Sequence, residues 1–266
     1  MRLGALIAQT ERRLRAARLH YGHGTDNPRD EAAYLVLRGL GLPFDSPLDR
    51  EADARKVEKL IRERIEKRIP AAYLLEEAWL DGLAFYVDRR VIVPRSHIAG
   101  LLAGLHQPVR RVLDLCTGSA CLAILAARAF PRARIVASDI SAAALAVARR
   151  NVSRYRMGKR VRLVRSDLFD ELHGECYDLI LANPPYVSAA AMRRLPAEYR
   201  YEPGLALAAG KDGLDVVARI LAEAPAHLER GGLLACEVGE GRNALARRFP
   251  RAPLVWPQDE VFLLHR

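Results

Sequence analysis

Apolar residues recur near the period of an α-helix at the start of the chain. Leu3, Leu6, Ile7, Leu14 and Leu19 follow this spacing, with arginines between them. Because such a period places the apolar side chains along one face, we predict a first helix that packs through that face.

Start and stop signals predict two more helices. Asn27 is suited to be an N-cap, and Pro28 is suited to the first helical position. Gly39 and Gly41 are suited to end this second helix. A third helix is predicted over residues 51–68, where apolar residues again share one face.

Strand-like patterning follows the helices. Residues 79–87 and 90–94 are short runs rich in apolar and aromatic residues, which is typical of the two strands of a hairpin. We therefore expect residues 77–95 to form a β-hairpin linker. It would join an N-terminal helical domain of residues 1–76 to a second domain of residues 96–266.

From residue 96 onwards, apolar strands alternate with helices. Strands are predicted at 112–115, 135–139, 161–164, 177–182 and 233–238, with closing strands at 253–255 and 261–265. Helices are predicted at 120–130, 141–154 and 213–229. This alternation is typical of an α/β fold in which helices cover both faces of a mostly parallel sheet.

Composition narrows the class of protein. The chain has 266 residues, of which 50% are hydrophobic. No apolar run reaches the ~18–20 residues that a membrane span needs, and the apolar start is too short for a signal peptide. The four cysteines form no C-x-x-C pair, so neither a metal site nor a disulfide framework is indicated. We expect a cytoplasmic protein with no membrane partner.

The net charge of +10 leaves two interpretations open. A basic surface attracts anionic partners such as nucleic acid or a ribonucleoprotein. Of the 42 basic residues, however, 37 are arginine, and no continuous block of lysine and arginine occurs. An arginine-rich composition of the whole genome would also give this charge.

Two features indicate a nucleotide-like ligand. Gly118 lies in the turn after the first predicted strand, where a glycine lets the backbone approach a ligand closely or simply forms a tight turn. Asp139 ends the second predicted strand, where a carboxylate can bind both hydroxyls of a ribose. Alternatively it caps the next helix, although Ser141 is also suited to that role.

The end of the third predicted strand carries a second acidic candidate. Asp167 is suited to accept a hydrogen bond from an exocyclic adenine amine while Leu168 covers the ring, or Asp167 caps a turn. No lysine follows Gly118 in a P-loop pattern, so a triphosphate is not indicated.

Asn183-Pro184-Pro185-Tyr186 directly follows the fourth predicted strand. Two prolines fix the backbone and remove two N–H donors, which leaves the carbonyl of Pro184 free as an acceptor. The Asn183 side chain adds a second carbonyl acceptor, and Tyr186 offers an aromatic wall. Two convergent acceptors suit the NH₂ group of a planar amide or aromatic amine, whereas the alternative is a rigid turn without a ligand.

These residues resemble the class I methyltransferases, and within them the HemK-like N(5)-glutamine methyltransferases. Asn-Pro-Pro-Tyr also occurs in some DNA adenine methyltransferases, so the rest of the chain carries the finer resemblance. It is similar to the branch that methylates large-subunit ribosomal protein three. The motifs that carry this likeness lie at residues 22–27, 68–74, 85–98, 195–203 and 210–214.

The resemblance implies a Rossmann-like fold with a seven-stranded, mostly parallel sheet and S-adenosyl-L-methionine as cofactor, leaving S-adenosyl-L-homocysteine as product. It implies cofactor contacts from Asp114, Cys116, Thr117, Gly118, Ser119, Ala120, Asp139, Asp167, Leu168 and Asn183. It implies a glutamine site made by Asn183, Pro184, Pro185 and Tyr186, of which Asn183, Pro184 and Tyr186 are catalytic.

The implied partner is ribosomal protein three, free or in an assembling particle, which the N-terminal helices would select. A weak contact with ribosomal RNA through the basic surface is a further expectation. The chain also departs from its relatives at two positions. Ala120 stands where the family usually has glycine, and His97 stands where the branch commonly has proline.

Three other functions stay open at the level of sequence. One is the sister branch that methylates peptide-chain release factors, which typically shows Pro-Arg-x-x-Thr-Glu where this chain has Pro-Arg-Ser-His-Ile-Ala at 94–99. The others are a DNA or RNA adenine methyltransferase and a non-catalytic ribosome-assembly factor with a degenerate cofactor pocket.

Overall fold

The helical periodicity of the N-terminal part produces four helices in the computed structural model, which describes residues 1–105 and 108–266. They are α1 (Leu3–Ala16), α2 (Pro28–Gly39), α3 (Arg55–Lys67) and α4 (Ala71–Leu75). The Asn27 side chain accepts hydrogen bonds from the backbone N–H groups of Arg29 and Asp30, so the predicted cap of α2 is confirmed. The third helix begins four residues later than predicted, and α4 was not predicted.

The predicted hairpin is wrong in its second strand. Strands β1 (Ala78–Leu80) and β2 (Leu83–Phe85) pair antiparallel, and residues 90–94 form no strand. Asp81 and Gly82 both have positive φ angles, the geometry that Asp-Gly favours in a two-residue hairpin turn. The run predicted as one strand therefore folds back on itself.

Residues 90–94 are apolar because they are buried, not because they pair with a strand. Val91 and Val93 pack in an apolar cluster with Tyr73 and Tyr86. The backbone polar groups of this segment bond to side chains instead: the Tyr73 hydroxyl donates to the Val91 carbonyl, and Val93 N–H donates to the Glu202 carboxylate. An apolar run alone does not distinguish these two environments.

The alternating half of the chain forms one seven-stranded sheet. Its strands are β3 (Arg111–Leu115), β4 (Arg134–Asp139), β5 (Val161–Arg165), β6 (Tyr177–Ala182), β7 (Leu228–Glu237), β8 (Val255–Gln258) and β9 (Val261–His265). The order is β5-β4-β3-β6-β7-β9-β8; β9 pairs antiparallel with β7 and β8, and the other pairs are parallel. The predicted α/β class and seven-stranded sheet are confirmed.

Helices cover both faces of this sheet. The α-helices in this part of the chain are α5 (Ile98–Leu102), α6 (Cys121–Ala129), α7 (Ala142–Arg154), α8 (Ala189–Met192), α9 (Asp215–His227) and α10 (Arg242–Arg248). Helices α5, α6 and α7 share one apolar cluster with the sheet, and α9 and α10 share another. Among the described residues, no helix combines the length and the apolar composition needed to cross a membrane.

A buried ion-pair network joins the N-terminal helices to the loop after β6. Arg64 of α3 is 1% exposed, and its guanidinium lies 2.7 Å from the Glu31 carboxylate and 3.4 Å from the Glu198 carboxylate. Arg68 also donates to Glu198, at 2.9 Å. The helical unit and the sheet domain are therefore held together by charges shielded from water.

We expect Arg64→Met to lower the free energy of unfolding by about 3–5 kcal/mol, because it leaves the buried Glu31 carboxylate without a cation and removes one of the two cations paired with Glu198. The control is Arg13→Met, which removes an exposed pair with Glu58 and should cost about 1 kcal/mol or less. Urea denaturation of both variants measures the difference. Equal losses would show that burial adds nothing to the Arg64 pairs.

Candidate active site

Strand register brings the predicted site residues to one edge of the sheet. Leu115 of β3 lies opposite Ser138 of β4 and opposite Ala182 of β6. The residues that follow these positions therefore emerge side by side at the carboxyl ends of parallel strands. This is also the point where the strand order reverses, the usual ligand position in doubly wound sheets.

A cavity of about 270 Å³ opens at this edge. Seven of the residues predicted from the sequence line it: Cys116, Gly118, Asp139, Asp167, Leu168, Asn183 and Pro185. The structure thus gathers residues from four separate segments of the chain into one concave site.

The backbone conformation favours glycine at position 118. Its φ of +54° lies in the left-handed region, whereas an added Cβ would meet no atom within 4 Å. Its N–H donates to the Asp139 carboxylate at 2.9 Å. The turn after β3 is thereby fixed to the end of β4 and presents its backbone to the cavity.

Two backbone hydrogen bonds fix the Asp139 carboxylate and leave it able to accept more from a ligand. One carboxylate oxygen accepts from Gly118 N–H and the other from Ser141 N–H, each at 2.9 Å. The cap of α7 is Ser141, whose hydroxyl accepts from Ala144 N–H, so Asp139 does not serve as that helix's N-cap. Burial raises the pKa of the Asp139 carboxyl, and each of its oxygens still has lone-pair capacity for a ligand hydroxyl.

Four predicted cofactor contacts lie behind the cavity wall: Asp114, Thr117, Ser119 and Ala120. The Asp114 carboxylate accepts from the Thr117 hydroxyl at 2.5 Å and from Ala123 N–H at 3.0 Å. The Ser119 carbonyl accepts from the Asn151 side chain. Ala120 is fully buried in the apolar cluster under α6, with a φ of +63°. These residues therefore stabilise the conformation of the turn and do not line the cavity.

Burial raises the pKa of the Asp114 carboxyl to about 7. The folded protein therefore keeps a proton that the unfolded chain releases near its usual pKa of about 3.9. We expect the contribution of Asp114 to the free energy of unfolding to fall as pH rises from about 4 to about 7 and then to level off.

The Asp114→Asn variant isolates this effect. It should lose the part of the pH dependence that belongs to Asp114, so that wild type and variant differ in slope over that range. Urea denaturation between about pH 4 and pH 8 measures both. Parallel curves would assign the slope to other carboxyls.

Asp167 has a partner that the sequence did not indicate. The Arg219 guanidinium of α9 lies 2.9 Å from the Asp167 carboxylate, and both side chains line the cavity. Leu168 is buried with a positive φ of 50°, which directs it into the cavity wall. Asp167 and Arg219 are 52 positions apart, and no local pattern predicts this pair.

The Asn183–Tyr186 motif is divided between the cavity and its support. Asn183 and Pro185 line the cavity, whereas Pro184 and Tyr186 are not among its lining residues. The Tyr186 ring packs against Gly239 so closely that an added Cβ would lie 2.7 Å from it. Gly239 is therefore a position where both the backbone conformation and the available space require glycine.

The Tyr186 hydroxyl lies 3.5 Å from the Glu237 carboxylate, which is itself held in place. Glu237 accepts from the Ser96 hydroxyl at 2.7 Å and from His97 N–H at 3.1 Å. Burial raises the pKa of Glu237. The segment that links the hairpin to α5 thus holds Glu237 in place, and Glu237 contacts the motif through Tyr186.

Sequence reasoning also missed one wall of the cavity. Pro203, Leu205, Ala206 and Ala208 line it from the long loop after β6. This loop returns to the motif, because Val187 N–H donates to the Leu207 carbonyl at 2.8 Å. Leu205 is 61% exposed, an apolar side chain at the mouth. The signal was weak, since no periodic pattern marks this loop.

Comparison with known proteins identifies the family. The model of the Methyltransferase small domain matches residues 99–197. The ribosomal protein uL3 glutamine methyltransferase of Bordetella pertussis is 50% identical over 280 residues, covering 98% of this chain and 94% of that protein. The protein of the same name from Burkholderia pseudomallei is 46% identical over 286 residues, covering 98% and 93%.

This chain belongs to the ribosomal protein uL3 glutamine methyltransferase family. It is a methyltransferase whose cofactor is S-adenosyl-L-methionine. A solved methyltransferase structure from Pyrococcus furiosus matches it with a TM-score of 0.52 at 19% identity, covering 79% of this chain and 97% of that one. At that identity the match shows the fold alone.

The donor set of the cavity fits this cofactor. A ribose needs an acceptor for two adjacent hydroxyls, and both Asp139 oxygens have capacity left. The Ser138 hydroxyl, also on the cavity lining, is buried and has no hydrogen-bond partner among the described residues. A buried polar group without a partner costs about 1–3 kcal/mol, which a polar ligand would recover.

Proposed function

We propose that this enzyme transfers a methyl group to the side-chain amide nitrogen of a glutamine in ribosomal protein uL3. The observation that carries the proposal is the position of Asn183, which follows β6 and lines the same cavity as Asp139 and Gly118. The relatives that share up to 50% of its residues over nearly the whole chain are named for this reaction. The site thus combines an acceptor for an NH₂ group with a cofactor cavity.

The cofactor would be held by residues from three strands. Asp139 would accept from the ribose hydroxyls, and Cys116 and Gly118 of the turn after β3 would lie against the cofactor's amino-acid portion. Asp167 would accept from the adenine amine, with its second oxygen available because Arg219 bonds only to the first. Leu168 would cover the ring.

Chemistry at the amide follows from the two acceptors. An amide nitrogen is a poor nucleophile because its lone pair is delocalised into the carbonyl. Hydrogen bonds from its two N–H groups to the Asn183 side chain and the Pro184 carbonyl would increase electron density on nitrogen and fix its direction. When bound, the cofactor supplies a methyl group on a positively charged sulfur. The product amide loses its extra proton to water, so no tuned base is needed.

Positioning accounts for most of the acceleration in this scheme. Holding two reactants in line is worth up to about 7–11 kcal/mol. Tyr186 would support the site through its packing on Gly239, and the loop with Leu205 would exclude water from the open side.

The N-terminal helices are proposed to select the protein substrate. They reach the loop after β6 through Glu198, whose side chain is fully buried against Arg64 of α3. Glu202 of the same loop pairs instead with Arg95 of the linker. A substrate bound to the helices would therefore lie next to the loop after β6, which forms one wall of the cavity. A ribosomal substrate also supports a cytoplasmic location for the enzyme.

Methyl transfer to alternative acceptors in parallel tests the assignment. Purified enzyme is given isolated uL3, a peptide-chain release factor and an adenine-containing oligonucleotide, each with labelled cofactor. We expect label in uL3 alone, on a glutamine side chain. Label in the release factor or in the oligonucleotide would assign one of the other acceptors, and cofactor binding without transfer to any of the three would indicate a non-catalytic factor.

A further inference from the structure

The positive charge of the chain is concentrated in one segment. Residues 121–166 hold 11 of the 42 basic residues but only one of the 32 acidic residues, the half-buried Asp139. This segment therefore carries the whole net charge of +10, and the rest of the chain is balanced. An arginine-rich genome raises arginine everywhere, so it does not explain a local excess over acidic residues.

Six of these cations lie together at the amino ends of β4 and β5. Three of them, Arg128, Arg132 and Arg134, lie where α6 ends and β4 begins. The other three, Arg154, Arg156 and Lys159, lie at the end of α7 and in the turn that leads to β5. All six are exposed, and we call them the basic edge. Across residues 1–105 and 108–266, none of the six forms an ion pair.

Hydrogen bonds fix the two turns side by side. The Arg160 guanidinium, in the second turn, donates to the carbonyls of Phe130 and Ala133 in the first, at 2.7 and 3.0 Å. Ile135 N–H also donates to the Arg160 carbonyl at 2.8 Å. The six cations therefore share one edge of the sheet, held against their mutual repulsion.

Helix dipoles explain only part of this arrangement. Arg128 and Arg154 lie in the last turns of α6 and α7, where a cation stabilises the negative end of a helix. Arg132, Arg134, Arg156 and Lys159 lie beyond those helix ends, and the dipole effect does not extend past the last turn. Four unpaired cations remain for an external partner.

We propose that the basic edge binds the phosphate backbone of RNA. The charge complementarity points to a polyanion, and the choice of RNA rests on the proposed function, because a ribosomal protein substrate is surrounded by ribosomal RNA. Paired turns with six exposed cations suit successive phosphates rather than a base-specific contact.

The basic edge lies at the opposite end of the strands from the cavity. A strand of five or six residues spans roughly 17–20 Å, so bound RNA would not enter the methylation site. The RNA would instead hold the enzyme beside a particle while the cavity faces its protein substrate. Binding and methyl transfer are thus separable in this arrangement.

The test uses two triple variants of the full chain and a matched control. The variants are R128Q/R132Q/R134Q and R154Q/R156Q/K159Q. The control is R230Q/R247Q/R251Q, which removes the same charge from exposed arginines on the β7–β8 side, also without ion pairs in the described part of the chain. Affinity for a labelled RNA hairpin is measured by fluorescence anisotropy against salt concentration.

We expect each basic-edge variant to bind the hairpin at least about tenfold more weakly, with the slope of log K against log salt reduced by about 2–3. The control should bind nearly as wild type. Equal weakening in the control and basic-edge variants would overturn the proposal, as would binding to phosphatidylglycerol vesicles without binding to RNA. Because the assay involves no methyl transfer, a failure of the proposed function shows separately, as unmethylated isolated uL3 with wild-type enzyme.

Discussion

Asn183→Ala should nearly abolish turnover while cofactor affinity stays within several-fold of wild type. The substitution removes one of the two acceptors that hold the amide nitrogen toward the methyl group. Loss of one well-placed hydrogen-bonding group at a reacting centre typically costs on the order of 100- to 1000-fold in kcat. Single-turnover methylation of uL3 and a separate cofactor titration measure the two quantities.

The control for this prediction is Asn183→Asp, which keeps an acceptor oxygen at the same position. It should recover a substantial part of the lost rate, whereas a purely structural role for the Asn183 side chain predicts no such recovery. A kcat near wild type for Asn183→Ala would remove Asn183 from the mechanism.

Asp139→Ala should weaken cofactor binding by about 100-fold or more, since two charge-assisted hydrogen bonds to the ribose are lost at about 1.5–3 kcal/mol each. The fold should survive, because the lost bonds to Gly118 and Ser141 N–H lie at the cavity edge, where water can replace them. Isothermal titration with the cofactor and circular dichroism test both statements.

Asp170→Ala provides the matched control. It removes the same charge from an exposed carboxylate that does not line the cavity. We expect cofactor affinity near wild type for this variant. A similar loss of cofactor affinity in both variants would mean that Asp139 acts only through its negative charge and not through direct hydrogen bonds to the cofactor.

The site residues that could be predicted from sequence are those next to strand ends. Asp139 and Asn183 each follow an apolar strand, and parallel strands bring such positions to one edge whatever the rest of the fold does. Gly118 was predictable for a similar reason, because a positive φ at that turn favours glycine.

The features that escaped prediction depend on contacts between distant segments. Arg219 meets Asp167 only once α9 packs against the sheet, and Glu198 meets Arg64 across 134 residues. The hairpin was misassigned because buried extended chain and strand give the same apolar pattern. The Asp81-Gly82 dipeptide was the local signal for a hairpin turn within this run.

Contacts between distant segments also explain why only part of the Asn-Pro-Pro-Tyr motif lines the cavity. Sequence alone predicts four residues around one ligand, yet the backbone turn that aims Asn183 into the cavity sends Tyr186 onto Gly239. The two prolines fix the directions of the neighbouring side chains relative to one another. Which of these side chains faces the ligand depends on the elements that pack against the motif.

The most direct test of the paired-acceptor geometry is a structure of the enzyme with S-adenosyl-L-homocysteine and a glutamine peptide from uL3. We predict that the glutamine amide nitrogen lies about 3 Å from both the Asn183 side-chain oxygen and the Pro184 carbonyl oxygen. A complex in which Asn183 points away from the amide, or in which the glutamine binds outside this cavity, would contradict the account.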